Sequence, residues 1–230
     1  MYYYGFDIYY LVLVIPALII SLYAQFKVKS TFGKYSSVPN QRGLTGAQVA
    51  RKILDYNGLV NVIVRPTNGT LTDHYNPADN TVNLSESVYN STSVAALGVA
   101  AHETGHAAQH AKGYIPLKVR TAIFPVVRIS SSAAVPLAIL GFITGFEILV
   151  NIGIILFSAV VLFQLVTLPV EFNASKRALG MMEQYNILSA DENKNAKKVL
   201  SAAAMTYLAS ALTAIANLLR LILLSRNRRR

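Results

Sequence analysis

His102 and His106 stand four residues apart with Glu103 beside the first, giving the pattern His-Glu-x-x-His. On an α-helix this spacing stacks both imidazoles on one face, about one turn apart, where a single Zn²⁺ can be gripped through two nitrogens. The neighbouring Glu103 carboxylate is then placed to take a proton from a metal-activated water. Catalytic zinc usually has three protein ligands and keeps a position for water, so one ligand is missing from the pentapeptide.

The elements around it read as a membrane protein. Only 14% of the 230 residues are charged and 53% are hydrophobic. Four apolar runs, at about 8–24, 122–146, 151–170 and 202–224, are near the roughly 20 residues that cross a bilayer. The first has no Lys or Arg before it and no small-x-small cleavage site after it, so it reads as an uncleaved anchor. The net charge of +10 does not point to nucleic acid. Lys27, Lys29, Lys34, Lys118, Arg120, Lys176 and Arg177 flank the apolar runs, where positive residues orient helices and meet lipid headgroups. Arg226, Arg228, Arg229 and Arg230 read as a solvated tail near lipid. The chain has no cysteine, which removes disulfides, thiolate zinc ligands and cysteine nucleophiles together.

The polar stretch 25–121 is the water-facing domain that must carry the histidines. Thr45 can cap a helix running to about Tyr56, with Gly58 as its stop. Val60–Val64 has strand character, Asn68-Gly69 is a turn signal, and Thr70–Tyr75 is expected to pair back as a hairpin. A short strand at about Thr81–Leu84 follows the turn at 76–80. Ser91 or Ser93 caps the histidine helix, which Gly113 and Pro116 end. Ser189 with Asp191 and Glu192 opens a later helix. The expected fold is therefore an α+β membrane protein. About four membrane helices join a small zincin-like domain, in which the metal helix packs on a short antiparallel sheet. Five segments follow: an anchor at 1–24, the domain at 25–121, a membrane hairpin at 122–170, a polar segment at 171–201, and an apolar helix with basic tail at 202–230.

This layout selects the third ligand. A third histidine six residues past the second is one known solution, but Gln109 and Lys112 occupy the positions it would need glycine and histidine to fill. His110 continues the i, i+4 series, yet its Cα lies about 12 Å along the axis from that of His102. Bonds near 2 Å to zinc cannot span that length, so His110 reads as a polar residue near the helix end. The remaining solution is a carboxylate among Glu147, Glu171, Glu183, Asp191 and Glu192. A hairpin of the second and third runs puts Glu147 at its far turn and brings Glu171 out on the near side, just after Pro169. Glu171 is the expected third ligand. As a second electrophile, His74 or Tyr75 on the expected hairpin are candidates.

The stretches Leu71–Pro77, His102–His110 and Leu168–Ser175, in that order, resemble the YugP-like family of membrane zinc metallopeptidases over essentially the whole chain. The chain is more distantly similar to the HtpX and CAAX prenyl protease group, which pairs His-Glu-x-x-His with a later Glu-x-x-x-Asp. There the Asp steadies a ligand imidazole. Here Ser175 holds that position, so the role falls to Ser175, Asn173 or Asp191. The resemblance implies proteolysis.

The expected reaction is peptide-bond hydrolysis on Zn²⁺ held by His102, His106 and Glu171, with Glu103 as general base. Expected partners are peptide or protein substrates, membrane proteins among them, and the lipid bilayer. The positive-inside bias makes the chain a multi-pass protein of the cell membrane with its active site facing the cytoplasm. Two rival classes stand beside the enzyme. One is a silent scaffold that keeps a zinc-binding fold, against which an intact Glu103 argues. The other is a transport component, for which Arg128 alone is thin support.

Overall fold

The computed structural model describes residues 7–228; Arg229 and Arg230 of the basic tail lie outside them. The order of elements is a π-helical turn at Tyr10–Val14, α1 (Ile15–Ser36), α2 (Gly46–Tyr56), β1 (Ile63–Thr67), β2 (His74–Asn76), β3 (Thr81–Ser85) and α3 (Glu86–Tyr89). There follow α4 (Val94–Ala111), α5 (Ile115–Thr144), α6 (Glu147–Gln184) and α7 (Ala190–Arg228). The chain divides into two compact units. One takes the residues up to Gln25, Lys118–Pro169 and those from Met205 on; the other takes Phe26–Leu117 and Val170–Ala204.

Four helices are long and apolar enough to cross a membrane: Tyr10–Ser36, Ile115–Thr144, Glu147–Gln184 and Ala190–Asn227. Within the first unit, close packing is achieved by small residues, as expected where lipid gives no hydrophobic reason for helices to associate. A Cβ at Gly153 would lie 2.7 Å from the Ala134 carbonyl oxygen. The charged Arg220 inside the last apolar run is not left alone. Its guanidinium donates to one oxygen of Asp7 at 2.6 and 2.9 Å and sits 5.0 Å from the Tyr10 ring centroid. Arg128 is exposed on α5.

In the second unit α2 is closed by a capping box. The Thr45 hydroxyl accepts from the Gln48 amide, and the Gln48 side chain accepts from the Thr45 amide. Such a cap is worth about 1 kcal/mol. Its buried Val49, Ile53 and Leu54 pack against α4 and the sheet.

The sheet departs from the expected hairpin. Its order is β1-β3-β2, with β1 parallel to β3 and β2 antiparallel to it; β1 and β2 do not pair. Two physical reasons are visible. Arg51 donates to the carbonyls of Leu59 and Val62, so the ladder starts only at Ile63. All five residues of β3 are buried, including Val82 and Leu84 in the core, which makes β3 the strand that needs a neighbour on both edges. Pro66 in β1 suits an edge position, where its missing N–H leaves no ladder bond unmade.

Candidate metal centre

Helix α4 begins at the cap formed by Ser93, whose hydroxyl accepts from the Ala96 amide at 3.2 Å. It ends at Gly113, where φ is +63°, a left-handed conformation that costs glycine least. The helix is lined with small buried residues, and Gly105 explains why. A Cβ there would lie 2.6 Å from the Ala174 carbonyl oxygen, so only glycine lets α4 approach α6 this closely. That approach brings Glu171 onto the two histidines.

The resulting cluster consists of His102, His106 and Glu171, with ligand atoms all within 4.8 Å of one another. The Oε2 atom of Glu171 is 3.3 Å from Nε2 of His102 and 3.5 Å from Nε2 of His106. Ligands about 2.0–2.2 Å from a tetrahedral zinc are about 3.3–3.5 Å apart. The donor set, and its two distances from Glu171, therefore fit zinc. The side chains are 13%, 12% and 3% exposed for His102, His106 and Glu171, so a lone carboxylate would be costly here. Because His106 gives its Nδ1–H to Gln109, its Nε2 needs a further proton or a metal ion to face the Glu171 oxygen. The direction for His106 agrees. Burial works against its charged form, but the hydrogen bond to Glu171 and the charges of Glu103 and Glu171 outweigh it and raise its pKa.

Each imidazole is held from behind. Nδ1 of His106 donates to Oε1 of Gln109 at 3.1 Å. The Gln109 amide is oriented by its other end, which donates to the Val170 carbonyl at 2.8 Å and to Asn173 Oδ1 at 3.0 Å. The direction of these bonds puts the proton of His106 on Nδ1 and leaves the Nε2 lone pair for a metal. Nδ1 of His102 meets the Ser175 hydroxyl at 3.1 Å. Of the three second partners expected from sequence, Ser175 touches a ligand histidine. Asn173 instead accepts from Gln109 and from Arg177, and Asp191 pairs with Lys194 at the surface. Gln109, fully buried, was legible only as a residue excluding one ligand pattern. Its position three residues past His106 is the signal for contact on one helix face.

Glu103 is 8% exposed and accepts from the Tyr75 backbone amide through Oε2 at 3.0 Å. Among the described residues its Oε1 has no hydrogen bond. Of the two hairpin candidates, Tyr75 is the residue brought to the site. His74 is exposed on β2, and its Nδ1 donates to the Thr72 carbonyl at 2.8 Å. His110 bonds to the Tyr75 hydroxyl.

Comparison with known proteins agrees with this geometry. The sequence model of a family described as "Putative neutral zinc metallopeptidase" matches residues 10–226. The protein named "Putative membrane protease YugP" of Bacillus subtilis (strain 168) is 50% identical over 220 residues, which are 96% of this chain and 98% of the relative. No solved structure matches. With a match that runs across all four candidate membrane helices and the metal cluster, the chain belongs to this family of neutral zinc metallopeptidases.

Proposed function

We propose that this protein is a membrane-embedded zinc-dependent endopeptidase, in which His102, His106 and Glu171 hold the metal and Glu103 is the general base. The observation that carries the reading is the approach of Glu171 to both histidines at 3.3 and 3.5 Å, the distances expected between ligands of one zinc, beside a carboxylate that is not among them. A purely structural zinc site closes all four positions with protein ligands and has no use for such a base. When bound, zinc supplies a Lewis acid and a water that ionises near neutral pH.

The chain's own residues do the rest. Glu103 is fixed by Oε2 on the Tyr75 amide, which leaves Oε1 to accept the proton of the attacking water and return it to the leaving amine. β2 is an edge strand; the Tyr75 amide on its free side is given to Glu103, which leaves the Tyr75 carbonyl beside it for an extended peptide. We assign His74 the steadying of the oxyanion. Because its Nδ1–H is given to Thr72, it fills that role only as imidazolium. Lys27, Lys29, Lys34, Lys176, Arg177, Lys194, Lys197 and Lys198 support a cytoplasmic position for the segments that carry the site. Membrane proteins or segments close to the membrane are then the substrates within reach.

The test is metal analysis of purified protein together with cleavage of casein by wild type and Glu103→Gln. The expected result is zinc in both, with cleavage lowered roughly 10²–10⁴-fold in the variant. Wild type without zinc, or a variant that cleaves undiminished, would sink the proposal. For orientation, the cysteine-free chain allows a single Lys197→Cys to be labelled by an impermeant thiol reagent. Labelling is expected in inverted vesicles and not in intact cells; the reverse overturns the cytoplasmic assignment.

A further inference from the structure

We propose that His110 is a positioning residue for Glu103, acting through Tyr75; this rests on the reading of Glu103 as general base. Helix α4 presents His102, His106 and His110 at four-residue intervals. The first two turn to Glu171, whereas the third meets β2. The Tyr75 hydroxyl is 2.9 Å from His110 Nδ1 and donates to Asn80 Oδ1 at 3.0 Å. A hydroxyl has one hydrogen, so towards His110 it accepts, and Nδ1 of His110 carries the proton. The two rings lie 5.8 Å apart between centroids.

Tyr75 thus touches α4 twice. Its hydroxyl binds His110, and its backbone amide, turned off the β2–β3 ladder, binds Glu103 at 3.0 Å. Strand β2 has only three residues, paired to β3 on one edge, and so short a strand has little of its own to fix its distance from a helix. The hydroxyl–imidazole bond supplies that fixation two helical turns from the base. Asn80, in the left-handed region at φ +52°, ties the same hydroxyl to the turn between β2 and β3. The third histidine of the series thus holds the strand that holds the base.

The test uses His110→Ala, His110→Asn, Tyr75→Phe and the double variant His110→Ala/Tyr75→Phe in the full-length, zinc-loaded protein. Three quantities are measured: zinc affinity by chelator competition, kcat and KM on a peptide, and amide hydrogen exchange at β2 without substrate. Displacing a catalytic group by about an ångström can cost about 10²-fold, so a loosened base is expected to lower kcat roughly tenfold in His110→Ala. KM and zinc affinity stay as in wild type, and exchange at β2 speeds up. Tyr75→Phe behaves the same way, and the double variant is no worse than either single one, because both break one tether. His110→Asn, whose side-chain N–H stands near the place of Nδ1, restores kcat and exchange. Unchanged exchange in His110→Ala, loss of zinc, a change confined to KM, or additive losses in the double variant each overturn the proposal. If wild type cleaves no peptide, the peptidase reading fails by itself, and the exchange measurements still decide whether His110 tethers β2.

Discussion

Gln109 in the metal-bearing unit and Thr167 in the helical unit are both buried polar side chains on helices. Gln109 makes three hydrogen bonds, to His106, Val170 and Asn173. Among the described residues the Thr167 hydroxyl has no partner, and the same is true of Ser130. The contrast extends beyond these residues. Glu192 in the metal-bearing unit accepts from the amides of Gln41 and Ser189, and Asp73 is bound by the Ser85 amide and hydroxyl although burial raises its pKa. In the helical unit the Asp7–Arg220 pair is joined by the amide and ring of Tyr10. A buried polar atom costs about 1–3 kcal/mol when unmatched. The metal-bearing unit offsets most of that cost with hydrogen bonds, Asn193 Oδ1 being its unmatched side-chain atom among the described residues, and the network of Gln109 reaches a ligand. The helical unit bears the cost at isolated points. Changes near the metal should therefore travel from one residue to the next, while changes among the membrane helices should stay where they are made.

The largest effect should come from Glu171→Gln. The substitution keeps the shape but removes the charge that two imidazoles face at 3.3 and 3.5 Å. Losing a residue that merely supports a ligand typically costs about 10–100-fold in metal affinity, so loss of the ligand itself should cost more than about 100-fold. Competition with a chelator measures this directly. If Glu171→Gln binds zinc as wild type does, the metal lies elsewhere and the contrast between the two units loses its meaning.

Next come the two residues behind the histidines. Gln109→Ala should weaken zinc binding by about 10–100-fold, because it frees His106 and also leaves Asn173 and the Val170 carbonyl without their shared donor. Ser175→Ala should fall at or below the lower end of that range, since one hydroxyl contact at 3.1 Å is lost and nothing beyond it. The absorption spectrum of the cobalt-substituted protein would report the change in ligand geometry separately from affinity. Equal losses for both variants would mean that the network of Gln109 adds nothing to a single contact.

These ranks show what the sequence made legible. Spacing along one helix marked His102, Glu103 and His106, because ligand geometry and helical pitch coincide there. Topology singled out Glu171, because an acid just after a membrane run has few places to go. The caps at Thr45 and Gly113 were readable, and Ser93 was one of two candidates, since capping depends on residues within a turn or two of one another. The pairing of β1 with β3 was not. It depends on Arg51 claiming two carbonyls and on the burial of β3, neither of which follows from alternation of residue types. The role of Gln109 depends on Val170 and Asn173, more than sixty positions away. The partner of Arg220 was hidden for the same reason: Asp7 is 213 positions away.

The smallest effect is expected from Thr167→Val, and its direction is what makes it informative. Valine has nearly the shape of threonine and lacks the hydroxyl, which here is buried without a partner. In a networked site the same exchange would strand a neighbour and destabilise the protein. At position 167 no partner is left behind, so stability should be unchanged or raised, by about 1 kcal/mol or less. Thermal unfolding in detergent, followed at fixed protein and lipid concentration, measures it. Zinc affinity should not move, although position 167 is one helical turn before Glu171. A clear loss of stability would show that the hydroxyl has a partner in the membrane environment, and the two units would then satisfy their polar atoms by the same rule.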